Sequence, residues 1–152
     1  MSGRVREVVH DNPVWRDRSD FIIAAEIPNG GEIKTEQLWA HQLDETRFEI
    51  CCIPFFVYDL ALGDIVETDA SYLIRRVLQP SGRYTFRVWF GDSFHPRDPI
   101  VDQLVELGAL TEWSSRNLLG VDASDDNRAQ LVANFLAERE ASGVLRYETG
   151  RT

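Results

Sequence analysis

Between Arg83 and Thr149 the spacing of hydrophobic residues switches from two to about 3.6 and back, twice over. That order limits the fold more than any other feature of the chain. In RYTFRVWF (Arg83–Phe90), Tyr84, Phe86, Val88 and Phe90 alternate onto one face of a strand. Asp98 and Pro99 predict a helix start, an N-cap followed by proline at the first helical position. Ile100, Leu104 and Leu107 then fall at i, i+4 and i+7, Val101 and Val105 widen the stripe, and Gly108 predicts the stop. LTEWS (Leu110–Ser114) and LLGVDA (Leu118–Ala123) flank a hairpin at Ser115-Arg116-Asn117. A second helix, capped at Ser124 or Asp125, carries Leu131, Val132, Phe135 and Leu136 and ends at Ser142-Gly143. VLRYET (Val144–Thr149) closes the series as a strand. This β-α-β-β-α-β order predicts a ferredoxin-like unit over residues 83–152, two helices on one face of a four-stranded antiparallel sheet.

Residues 21–82 read as strands throughout. FIIAAEI (Phe21–Ile27) stops at the turn Pro28-Asn29-Gly30-Gly31. EQLWAHQL (Glu36–Leu43) and RFEICCIPFF (Arg47–Phe56) form a hairpin, with Phe48, Ile50 and Cys52 on one face. DIVETD (Asp64–Asp69) and SYLIRRVL (Ser71–Leu78) follow, broken at Gln79-Pro80-Ser81-Gly82. Short strands with tight turns predict an antiparallel sheet or small barrel. The expected class is α+β: an N-terminal extension (1–20), a β-rich subdomain (21–82) and the ferredoxin-like subdomain (83–152) packed together.

At 152 residues the chain is long enough for a core without metal or disulfide staples. A formal charge of −9 argues against nucleic-acid partners, which need clustered basic residues, and favours a basic one. Cys51 and Cys52 are adjacent, and a bond between them would be strained. A reduced, cytoplasmic protein is expected. The chain shows neither a signal-like opening nor an apolar run of about 18 residues, so no membrane association is expected.

The stretch IPFFVYDLALGDIVETD (Ile53–Asp69), the later SGRYTFRVWF and the late hairpin LGALTEWSSRNLLGVDA together resemble a bacterial family of domains of unknown function, number 4265. The resemblance runs over roughly residues 36–149. It implies a small, soluble bacterial protein and carries no established activity.

Candidate chemistry is sparse. Asp64 follows Gly63 at a strand entry, where glycine permits positive φ and aspartate bonds backbone amides; it reads as a turn residue. Glu67 and Asp69 share a strand face and read as solvated. His10, His41 and His95 lack ligand spacing, and no metal or cofactor is expected. For a cysteine nucleophile, the one pairing available sets His41 opposite Cys51 across a turn centred on Thr46; buried strand cysteines are the simpler reading. Trp89 shares a strand face with Thr85 and Arg87. Such a face can stack RNA bases, but the RNP consensus is missing, and packing between the halves is expected.

The leading expectation is a non-catalytic acidic interaction protein, such as an immunity protein or enzyme inhibitor, binding a basic protein. Its surface would be Asp122, Asp125, Asp126, Glu138 and Glu140, around the second helix. The alternative is a small-molecule-binding or sensor module with a pocket between the halves near Phe55, Phe56, Tyr58 and His95.

Overall fold

The computed structural model describes residues 6–28, 31–91 and 94–152. Among these residues the strands form two sheets, and two α-helices join the second.

The first sheet contains β1 (Arg6–Val8), β2 (Phe21–Glu26), β3 (Ile33–Gln42), β4 (Arg47–Ile50), β5 (Ile65–Thr68) and β6 (Ile74–Gln79). Its order is β1-β3-β4-β5-β6, with β2 also on β3. β1 runs parallel to β3, and the other ladders are antiparallel. A bridge between Ala24 and Leu73, with Ala24 N–H donating to Tyr72 O at 3.0 Å, ties β2 to the start of β6. Alternation supplies the core: Ile23, Leu38, Phe48, Ile50 and Val66 turn inward together.

The second sheet contains β7 (Tyr84–Trp89), β8 (Leu110–Trp113), β9 (Leu118–Ala123) and β10 (Arg146–Thr149), in the order β10-β7-β9-β8, all antiparallel. The helices are α1 (Asp98–Glu106) and α2 (Asp126–Ala141). Phe86, Val88, Leu119 and Val121 from the sheet share one core with Leu104 of α1 and with Val132 and Leu136 of α2. Both helices therefore lie on one face of the sheet. Asp125 caps α2, its carboxylate accepting from Arg128 N–H at 2.8 Å.

Several local expectations need correction. Asp98 is the first residue of α1; Arg97 holds the cap position without a side-chain cap bond. β4 ends at Ile50; Cys51 N–H still donates to Trp39 O at 2.9 Å, and Cys52 to Phe56 leave the ladder. The hairpin turn centres one residue earlier than expected, with Leu43 N–H donating to Arg47 O at 2.9 Å, and this pairs His41 with Glu49 instead of Cys51. Asn29 and Gly30 of the expected turn lie outside the described residues. Residues 6–20 are threaded into the molecule through β1, a buried His10 and a 3-10 turn at Arg16–Arg18.

Candidate functional site

The face of the second sheet away from the helices meets the loop 51–57. Gly120 of β9 permits the approach: a Cβ there would lie 2.9 Å from Ile53 Cγ2 and 3.3 Å from the Phe55 ring. Beside this contact is a buried polar cluster of His10, Glu36 and Glu112, none more than 3% exposed. β1 leads His10 inward, Glu36 shares the core-facing side of β3 with Leu38 and Ala40, and β8 supplies Glu112.

Both nitrogens of His10 face carboxylate oxygens: Nε2 bonds Glu36 Oε2 at 2.7 Å, and Nδ1 bonds Glu112 Oε2. Carboxylates at both nitrogens favour the doubly protonated ring, an imidazolium. Its ring stacks on Phe55 at 4.1 Å between centroids. Burial alone would push a histidine down. Its contacts with Cys52, Glu112 and Glu36 outweigh burial and hold it up at about 12. Glu36 also accepts from the backbone N–H groups of Phe55, Phe56 and Val57 at 2.7, 2.9 and 3.2 Å. With His10, that gives one donor for each of the roughly four lone-pair directions of a carboxylate. Glu112 accepts from Ile53 N–H at 3.1 Å and Val14 N–H at 3.3 Å.

Chemically, this neighbourhood has cysteine, histidine and carboxylate, but both histidine nitrogens are engaged. The imidazolium has no free nitrogen to take the Cys52 proton, and burial pushes that thiol up. The cluster ties the N-terminal segment, both sheets and the loop 51–57 together. Neither His10 nor the two glutamates were singled out in sequence as a group. One signal was present: Glu36 falls in register with Leu38 and Ala40, a charge next to the apolar part of the strand face.

The sequence-selected residues are scattered. Asp64 is buried; its Oδ1 accepts from Ser81 N–H at 2.8 Å and its Oδ2 from Ala61 N–H at 2.9 Å, fastening the chain before β5. Cys51 and Cys52 are free and buried, and burial raises the Cys51 thiol to about 11. Among the acidic candidates, Asp122 needs correction. It is 0% exposed, its carboxylate takes Arg83 Nε at 3.1 Å and Nη2 at 2.5 Å, and it is not available to a partner. Asp125, Asp126, Glu138 and Glu140 are exposed on the helix layer. Phe55, Phe56, Tyr58 and His95 do not line one pocket. Phe55 and Phe56 border a groove with Arg87 and Trp89, whereas His95 borders a separate depression with Phe94 and Leu145. Tyr58 donates its hydroxyl to Glu148 at 2.8 Å. A further cavity of about 310 Å³, lined by Asp64, Arg83, Thr85 and Arg151, opens between the sheets.

Among the described residues, no group of three or more His, Cys, Asp or Glu side chains is arranged to hold a metal ion. Likewise, no helix is long and apolar enough to cross a membrane.

The fold and this sealed cluster define an α+β protein whose two sheets are joined through buried charge. The chain belongs to the family described as domain of unknown function (DUF4265), whose model matches residues 36–147. It is similar to a solved structure described as a hypothetical protein from Neisseria gonorrhoeae, at 22% identity and a TM-score of 0.73. That likeness covers 86% of this chain and 93% of the other, and it speaks to fold. No curated protein matches.

Proposed function

We propose that the protein is a non-catalytic interaction protein whose helix layer docks a basic protein, in the manner of an inhibitor or immunity protein. One observation carries this reading: the exposed charge of the helices is one-sided. Asp98, Asp102 and Glu106 form an exposed i, i+4, i+8 stripe on α1, and Asp125, Asp126, Glu138 and Glu140 flank it on or beside α2. Arg128 and Arg139 are the only basic residues on these helices. Val105 and Leu131, 55% and 50% exposed, supply apolar contact within the acidic surround. The occupied nitrogens of His10 support a non-catalytic reading of the buried cluster.

In this reading the first sheet is a small barrel drawn together at Ala24–Leu73, and the second half is a ferredoxin-like unit, in a bacterial, cytoplasmic protein. The test is affinity capture at low and high salt, beside a variant carrying Asp102→Lys, Glu106→Lys and Glu138→Lys. A basic protein held at low salt, released at high salt and lost by the variant is expected. Equal retention by the variant sinks the reading. A second reading, a small-molecule module, is favoured by the groove beside Phe55 and Phe56.

A further inference from the structure

We propose that this groove, on the face of the second sheet away from the helices, binds a planar organic anion: an aromatic ring carrying a carboxylate. The inference rests on the small-molecule reading and is independent of the acidic helix layer.

Cross-strand register builds the site. Arg146, Trp89 and Leu118 pair in one row across β10, β7 and β9, and Glu148, Arg87 and Gly120 pair in the next row on the same face. Loop 51–57 covers the Gly120 end of the second row, as the Ile53 and Phe55 contacts require. In the first row Leu118 is buried, whereas Trp89 and Arg146 stay open. Trp89 is 48% exposed although it lies on an inner strand of the sheet. The groove between Phe56, Trp89, Leu118 and Arg146 encloses about 320 Å³, within the range of small-ligand pockets.

Arg87 gives this groove its chemistry. It is 4% exposed, and its Nη2 donates to Val57 O. Its Nε and Nη1 have no hydrogen-bond partner. Glu148 Oε1 stands 3.6 Å from Nη1, beyond hydrogen-bond distance, while both Glu148 oxygens take the Tyr58 hydroxyl at 2.8 Å. A buried guanidinium with N–H groups that make no hydrogen bond is costly, and a carboxylate arriving at Nη1 relieves part of that cost with a charge-assisted bond. Tyr58 covers the guanidinium, its ring centroid 4.6 Å from Cζ, and is itself 44% exposed. It is the side chain that a ligand displaces. Trp89 then offers a face for the ring, and Arg146 adds a second positive charge at the rim. Two arginines against Glu148 make the groove locally basic in a chain whose net charge is −9.

The test uses the purified full chain and isothermal titration calorimetry with 2-naphthoate as probe. 2-Naphthamide lacks the charge, and hexanoate lacks the ring. We expect 2-naphthoate to bind and each control to bind at least about tenfold more weakly. Trp89→Ala and Arg146→Gln, both at exposed positions, each weaken 2-naphthoate about fivefold or more. Tyr58→Ala, which uncovers Arg87, tightens it. Equal affinity for the amide overturns the anion assignment while leaving a small-molecule groove in place. Unchanged affinity in both the Trp89 and Arg146 variants overturns the location. No binding by either the natural chain or Tyr58→Ala overturns the site altogether.

Discussion

The two faces of β7 follow different rules. On the helix side, Phe86 and Val88 meet apolar side chains from α1, α2 and β9, all within a short stretch of sequence. On the other side, Thr85 and Arg87 are just as buried, yet their cover comes from loop 51–57 and the C-terminal segment. Local chain connectivity supplies the first cover. Long-range polar anchoring supplies the second, with Glu36 and Glu112 gripping the loop through its backbone N–H groups. Burial on one face is therefore stabilised by area removed from water, and on the other by a loop whose backbone is held by buried carboxylates.

Breaking each kind of cover separates the two. The largest loss is expected for Glu36→Ala, which strands the imidazolium and three backbone donors. About 3–5 kcal/mol should disappear in urea denaturation. Leu104→Ala, in the helix-side core, should cost about 2–5 kcal/mol through its cavity. Only the polar face should respond to pH. His10 has its folded value raised from 6.5 to about 12, so its stabilisation is complete below the unfolded value and is lost as pH rises toward the folded one. Between pH 6.5 and 7.5, below the range where cysteine titrates, stability should fall by at most about 1.4 kcal/mol per pH unit. His10→Gln should flatten that slope, while Leu104→Ala should keep it. A slope that survives His10→Gln would refute the imidazolium assignment.

Smaller effects sharpen the contrast. Gly120→Ala pushes against Ile53 and Phe55 and should cost about 1–3 kcal/mol, measurable as a lower urea midpoint with unchanged m. Asp125→Ala removes the α2 cap and should cost about 1 kcal/mol on the helix side, leaving the pH slope unaltered.

The same contrast explains what the sequence made legible. The alternation of Tyr84, Phe86, Val88 and Phe90 and the bounds of β9 and α2 follow from period and capping, which are local. The end of β4 is not local: Glu36, from an earlier strand, captures the N–H groups of Phe55 to Val57, where the sequence pattern predicts a continuing ladder. The His41 register slipped because moving a turn centre by one residue moves each partner by two. His10 lies 26 residues from Glu36 and 102 from Glu112, beyond the reach of any periodic pattern. Asp122 read as a surface acid from its helix-proximal position, but strand alternation sends it to the sheet face where Arg83 waits.

The His10 cluster also bears on how the chain matures. His10 leaves the ribosome well before either of its acceptors, and Glu112 arrives only after β7 and α1. Until β8 is in place, the first sheet holds an interior cation with half its counter-charge, a state that water and chaperones can still reach. A chain truncated before Glu112 should therefore hold its first sheet less firmly, measurable as faster proteolysis than the full chain.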